Sequence, residues 1–342
     1  MQISLFQWSR NIVVTFGIIF LVYVFLQSDL SIPSLLESNT VQTFKTMFIS
    51  IILEAIPFVL LGVVLSSILQ VFVSEKFIQR IIPKNPILGI LFACLLGIIF
   101  PVCECGMIPV VRRLIQKGMP VYVAIVFILT GPIINPIVYA ATFMAFRTHP
   151  DMVYARMGLA FAVAAVIGFI LHKTLKKSPL KQSLTHFHAI GSSHAHDHDH
   201  DHDHDHHYNR LSSMLSHAAE EFFEMGKFLM FGAMLTALIQ TFVVRESLVA
   251  IGHGTIISHL FMTGFAYILS LCSTSDAFVA SSFLTTFSKG SLLTFMVVGP
   301  MLDFKSTLML LSVFKKRFVL VLSMLIAIFT IAGSMIIEHF YF

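Results

Sequence analysis

The chain has 342 residues, of which 56% are hydrophobic, 12% aromatic and only 12% charged, with a formal net charge of +4. Soluble domains carry about 25% charged residues, so an ordinary water-soluble enzyme and a disordered chain are both excluded. Five of the 18 acidic residues (Asp197, Asp199, Asp201, Asp203 and Asp205) lie in one histidine tract, and without them 22 basic residues face 13 acidic ones, the excess seen in cytoplasmic loops of membrane proteins.

A helix needs about 20 apolar residues to span the hydrocarbon. Candidate runs lie at 11–27, 46–73, 86–110, 121–146, 153–173, 213–243, 255–286, 291–313 and 317–337. This predicts an all-α polytopic membrane protein with about 7–9 membrane segments. Residues 1–45 read as an extra helix, retained for want of a small-residue cleavage pattern, and an external loop. Residues 46–173 and 213–342 read as two transmembrane repeats, joined by a disordered cytoplasmic linker at 174–212.

Basic clusters sit at Lys76/Arg80/Lys84, Arg112/Arg113/Lys117, Lys173/Lys176/Lys177/Lys181 and Lys315/Lys316/Arg317. They share one side of the bilayer only if 86–110 and 255–286 enter and return on the same side. Pro101 and Pro109 bracket Cys103-Glu104-Cys105-Gly106 and supply the break that such a hairpin needs.

An internal repeat supports this reading. Glu54 to Gly62 matches Glu224 to Gly232 at an offset of 170, Cys103-Glu104-Cys105 falls opposite Ser275-Asp276-Ala277 at 172, and Gly131-Pro132-Ile133-Ile134-Asn135 opposite Gly299-Pro300-Met301-Leu302-Asp303 at 168. With one re-entrant and three crossing segments per half, the second half is inserted upside down, which gives inverted repeats with broken or re-entrant helices.

Ionisable groups inside apolar runs cost a few kcal/mol, about 2.5–3.5 for an acid at a helix centre, and are kept where they meet a partner or a wet cavity. Glu104 between Cys103 and Cys105 is the sharpest case, because thiolates prefer soft ions and alternate residues of an extended break point the same way. Cys272, Ser275 and Asp276 form the corresponding segment of the second half. Asn135 and Asp303 mark interrupted helices whose freed backbone groups can line a cavity. Asp303 and Lys305 need partners, with Glu54, Glu224 and Lys227 as candidates. Paired ionisable groups also suit a proton relay, so Glu54, Glu224 and Lys227 are assigned to coupling.

The tract His194, His196, His198, His200, His202, His204, His206 and His207, alternating with aspartates, is too polar to pack. Its imidazoles and carboxylates suit Zn or another divalent metal in many weak sites. No other cofactor is required. The chain has no P-loop, nucleotide fingerprint or His-Glu-x-x-His motif, and the reading is of a transporter with no enzymatic activity and no nucleic-acid partner.

Taken together, Phe100-Pro-Val-Cys-Glu-Cys-Gly-Met-Ile-Pro109, Thr130-Gly-Pro-Ile-Ile-Asn-Pro136, Ser273-Thr-Ser-Asp-Ala277 and Val298-Gly-Pro-Met-Leu-Asp303 resemble the predicted permeases of the YraQ/YcgR type, a group that includes the ArsP-type exporters of organoarsenicals. The resemblance covers about 46–340. It implies a multi-pass permease of the bacterial inner membrane and makes a thiophilic trivalent species one candidate substrate, which Cys103, Cys105 and Cys272 would suit. The His/Asp tract departs from that pattern and adds weight to a divalent metal.

The expected function is therefore a proton-coupled exporter of a thiophilic metal or metalloid species. Its partners would be the lipid bilayer, a small inorganic or organometallic substrate and an accessory metal-binding protein. Two rival readings are a metal-responsive membrane scaffold or sensor that uses the His tract without translocation, and an intramembrane thiol oxidoreductase using Cys103 and Cys105.

Overall fold

The computed structural model describes residues 39–72, 74–83, 85–99, 103–175, 179–180, 206–242 and 255–342. The expected first helix at 11–27, Pro101 and His194 to His204 lie outside the described residues. The first half contains α1 (Asn39–Phe72), α2 (Glu75–Ile81), α3 (Pro86–Ile99), α4 (Glu104–Gln116), α5 (Val121–Thr130), α6 (Pro136–Ala145) and α7 (Asp151–Thr174). The second contains α8 (His206–Phe242), α9 (Thr255–Leu269), α10 (Ser275–Ser281), α11 (Lys289–Met301), α12 (Phe304–Val313) and α13 (Lys316–Phe340).

Among the described residues four stretches are long and apolar enough to cross a membrane: Val41–Gln70, Asp151–Thr174, Lys289–Val313 and Lys316–Phe340. At 1.5 Å per residue each reaches about 36 Å or more, against a hydrocarbon thickness of about 30 Å. The shorter apolar helices come in pairs, α3 before α4 and α5 before α6, because polar or proline-bearing segments divide the apolar runs. Pro132 and the N-cap Asn135 separate α5 from α6, and Pro300 and the N-cap Asp303 separate α11 from α12.

Each long helix packs on its counterpart: α1 on α8 and α7 on α13. Phe48 and Ile52 early in α1 meet Ala233 and Ala237 late in α8, while Ser66 late in α1 reaches Glu221 earlier in α8. Leu159 early in α7 likewise lies against Gly333 late in α13. Counterparts are thus antiparallel, and a two-fold axis that exchanges antiparallel helices lies perpendicular to them. For spanning helices that axis runs in the membrane plane, so the repeats are inverted. The cross-half contacts obey the same exchange, with α4 on α12 and α10 on α6.

Both polar hairpins return to the side they leave. Gly89, early in α3, sits against Tyr122 at the start of α5, only six residues after α4 ends. His259, early in α9, reaches Thr294 at the start of α11. The ends of α4 and α7 and the start of α13 share one end of the molecule, where Lys315 N–H donates to the Pro179 carbonyl and Tyr122 meets His172. Among the described residues Arg112, Arg113, Lys117, Lys173, Lys315, Lys316 and Arg317 lie toward this end, which the positive-inside bias makes the one expected to face the cytoplasm.

Helix boundaries differ from the sequence reading in two places. α1 begins at Asn39, inside the expected loop, and α8 begins at His206, so His206, His207 and the rest of 206–212 are helical where a disordered linker was expected. Both extensions prolong helices that are anchored by their mutual packing, which carries helical structure past the apolar run itself.

The α1/α8 pair lies on the α4/α12 side, with α1 packed on α4 and α8 on α12. A Cβ on Gly62 would fall 2.1 Å from the Gly106 carbonyl oxygen, so α1 and α4 cross backbone to backbone, as small residues allow in membranes.

Candidate functional site

Cys103 is the N-cap of α4, with extended backbone, and its carbonyl accepts from Gly106 and Met107 N–H at 3.1 and 3.2 Å. Glu104 and Cys105 are already helical, which corrects the expected extended geometry: only Cys103 belongs to the break. The thiols nonetheless lie side by side, close enough to share a hydrogen bond, with Cys105 buried and Cys103 half-buried. Glu104 occupies the first turn of α4, where the partial positive charge of the helix end favours a carboxylate.

Asp303 faces it across the repeat boundary. Its Oδ1 accepts from Ser306 N–H at 2.5 Å, and its own N–H donates to Ser306 Oγ at 3.1 Å, a reciprocal capping box at the start of α12. Lys305 Nζ stands 3.8 Å from Asp303 Oδ2 and 4.0 Å from Glu104 Oε1. It is also within electrostatic reach of both thiols. Glu104 Oε2 and Asp303 Oδ2 have no hydrogen-bond partner. Two buried carboxylates thus share one ammonium at long range, beside two thiols. This corrects the expected pairing, since Lys305 and Asp303 meet Glu104 and each other, not Glu54, Glu224 or Lys227. Position along the chain hid the partner: Glu104 is 201 residues from Lys305 and meets it only because α4 packs on α12.

The corresponding acid of the second half is held differently. Asp276, buried in the first turn of α10, accepts from Arg156 Nη2 at 2.7 and 3.0 Å. The same nitrogen donates to the Ser273 carbonyl at 3.0 Å, and Nη1 donates to Thr142 Oγ1 at 2.8 Å. Arg156 is fully buried. Within this cluster only Arg156 Nε is left without a hydrogen-bond partner, and the pair of opposite charges clamps α10 of one half to α6 and α7 of the other.

The other expected residues fall around these two centres. Asn135 is the N-cap of α6: its side chain accepts from Val138 N–H and donates to the Gly131 carbonyl, both at 2.9 Å, closing the break. Cys272 lies 3.5 Å from Thr274 Oγ1 and within electrostatic reach of Glu104 and Glu54. Ser275 and Glu54 are exposed. Glu224 pairs with Arg112 at 3.1 Å, and Lys227 is exposed, over the Phe228 ring. Among the described residues no three His, Cys, Asp or Glu side chains converge as a metal's ligand set. A wholly apolar pocket of about 270 Å³ between α1, α2, α3, α4 and α5 holds none of these groups.

Several buried ionic residues escaped the sequence reading. Arg156 lies within the candidate run 153–173 and is not among the expected site residues. Arg112 and Arg113 were counted only as topology markers, yet with Glu224 and Glu221 they tie the C-terminal half of α4 to α8, the Arg113 pair at 3.7 Å and Ser66 bonding Glu221 at 2.8 Å. His259 and Glu338 were not singled out. For Arg156 the usable signal is a lone arginine in 152–171, a stretch of 20 residues otherwise made of Ala, Gly, Ile, Leu, Met, Phe, Tyr and Val; for His259 there is none beyond its place in an apolar run.

Comparison with known proteins agrees with the geometry. The model of a family described as a predicted permease, ArsP_1, matches residues 40–339. A Bacillus subtilis (strain 168) protein, UPF0718 protein YcgR, is 47% identical over 294 residues, covering 86% of this chain and 96% of that one. A Streptococcus mutans serotype c protein, named as a candidate subunit of a two-component membrane permease complex, is 39% identical over 287 residues, covering 83% and 91%. No solved structure matches.

Proposed function

Because this chain belongs to the ArsP_1 family of predicted permeases, we propose that it is a proton-coupled exporter of a thiophilic metal or metalloid species in the bacterial inner membrane. The observation that carries the reading is the centre where Glu104 and Asp303 share Lys305 at 4.0 and 3.8 Å, each with an oxygen that has no hydrogen-bond partner, beside Cys103 and Cys105. If all three groups are ionised, the centre is one positive charge short. Lys305 then acts as a tethered cation that holds the place of the substrate. A soft cationic species approaching the thiols displaces its ammonium, and its return expels the substrate.

The location suits transport. The centre lies where a re-entrant hairpin meets a broken helix, the arrangement that places a site near mid-depth in inverted-repeat transporters. Cys272, within reach of Glu104, is a third thiol on the same path, whereas Asp276, Ser275 and Asn135 belong to its walls. Glu54, Glu224 and Lys227 on the α1/α8 pair are kept as coupling residues, and the His/Asp tract as a weak cytoplasmic collector of Zn or a similar metal. The name of the Streptococcus relative suggests a second subunit for this chain as well.

The test is uptake of arsenite, antimonite and Zn²⁺ by everted membrane vesicles. Glu104→Gln, and separately Cys103→Ser with Cys105→Ser, should abolish movement of the transported ion. Unchanged uptake by both variants would overturn the site.

A further inference from the structure

A second polar centre lies away from the thiols, at the external end of the second half. His259 in α9 is fully buried. Its Nε2 is 2.8 Å from Glu338 Oε2, and its Nδ1 is 2.8 Å from Thr294 Oγ1 and 3.2 Å from Ser334 Oγ. The two hydroxyls lie 2.6 Å apart. Both ring nitrogens therefore have partners, a carboxylate on one side and a hydroxyl pair on the other.

The centre continues inward. The buried face of α13 reads Leu322, Ile326, Thr330, Ser334 and then Glu338, apolar in its first turns and polar in its last. Thr330 is fully buried and its Oγ1 has no hydrogen-bond partner, an arrangement that in an apolar span is costly unless water or a proton path uses it. From Glu338 to Thr330 is eight residues, about 12 Å along the helix, against a hydrocarbon half-thickness of about 15 Å. The Glu338 side chain is 24% exposed, so the stripe opens at the surface.

The first half has no such stripe. At offsets of 169, 168 and 166 the places of His259, Thr294 and Ser334 are taken by Ile90, Val126 and Gly168, which pack on one another. The fold is therefore sound with an apolar filling here, and the polar set is particular to one half.

We propose that Glu338 and His259 form a proton-entry site, continued by Ser334, Thr294 and Thr330 along α13 toward the middle of the membrane. A proton on the Glu338 carboxyl passes to Nε2, and the imidazolium releases the proton on Nδ1 to the hydroxyl pair, which hands a hydrogen on toward Thr330. Only N–H and O–H bonds form and break, and the ring is left in its other tautomer. Among the described residues, charged groups near this end include Lys289 of α11, held by Asp151 of α7 at 2.8 Å, Arg147 and His149 just before α7, and the exposed His339 of α13. α8 also packs on α9, but its charged residues end at Lys227, about four turns before Phe242. The role in coupling rests on the proposed permease function; the binding of a proton does not.

The test uses the full chain in lipid. In pH-jump infrared difference spectra a carboxyl band should be present in the wild type, lost in Glu338→Gln and shifted in His259→Gln; a band unchanged by His259→Gln overturns the shared proton. The grafted variant His259→Ile, Thr294→Val and Ser334→Gly keeps the packing that the first half already uses. In everted vesicles it should lose the pH dependence of transport, and a wild-type pH profile in a folded graft overturns the path. If wild-type vesicles move none of the tested ions while the infrared bands behave as expected, the proton site stands and the substrate reading fails.

Discussion

Glu104 and Asp276 hold equivalent places in the two repeats, in the first turn of the helix that follows a hairpin tip, and each meets a cation from the opposite half. Asp276 is gripped at 2.7 and 3.0 Å by a guanidinium nitrogen that also donates to a carbonyl, while the second terminal nitrogen donates to a hydroxyl and Nε has no hydrogen-bond partner. Glu104 has only a lysine at 4.0 Å, shared with a second carboxylate. Arginine's planar fork gives a fixed geometry, while lysine is a point charge on a flexible stem that can move away. The two equivalent acid centres thus differ: one is a latch between the halves, and the other has a longer-range lysine beside two thiols, which is the one proposed above as the transport site.

The comparison breaks most readily at the latch. Arg156→Ala leaves Asp276 buried without a partner and should cost about 3–5 kcal/mol, read as a large drop in thermal stability in detergent. Arg156→Ala combined with Asp276→Ala should recover much of that loss; equal damage from the double variant would argue against a charge-pairing role. Glu104→Gln should be far milder in stability while abolishing transport.

The two equivalent glycines differ in the same sense. Gly62→Ala drives a methyl into the Gly106 backbone and should cost about 1–3 kcal/mol. Gly232→Ala meets the Lys305 Cα at 3.4 Å, an ordinary contact, and should stay within about 0.5 kcal/mol. Matched melting curves of the two variants check this.

Asp303 combines a cap with a charge, and substitution separates them. Asp303→Ala should lose about 0.5–2 kcal/mol with the cap, whereas Asp303→Asn should keep the cap and most of the stability yet lose transport. If Asp303→Asn transports normally, the acid serves only to start α12. A small effect is also expected at the half-exposed Lys289–Asp151 pair, where Asp151→Asn should change stability by less than about 1 kcal/mol.

The membrane class, the repeat and the helix breaks were legible because each depends on local chemistry. Apolar run length sets what can span, and Gly-Pro followed by Asn135 or Asp303 stops one helix and caps the next. The conspicuous acids were legible too, since a carboxylate in an apolar run stands out. Their partners were not. Glu104 was matched to the wrong neighbours, Arg156 passed as part of a span, and His259 looked like one more residue in an apolar segment. Each acquires its role from a residue between 35 and 201 positions away.

By itself the amino-acid sequence determined that this chain lives in a bilayer, that it is built twice and where its helices break. All three follow from transfer free energies and backbone chemistry that act along the chain. Only the tertiary structure decided which acid is locked and which is loose. That depends on whether the antiparallel packing of the two halves brings up a fixed arginine or a mobile lysine, and no local pattern encodes that meeting.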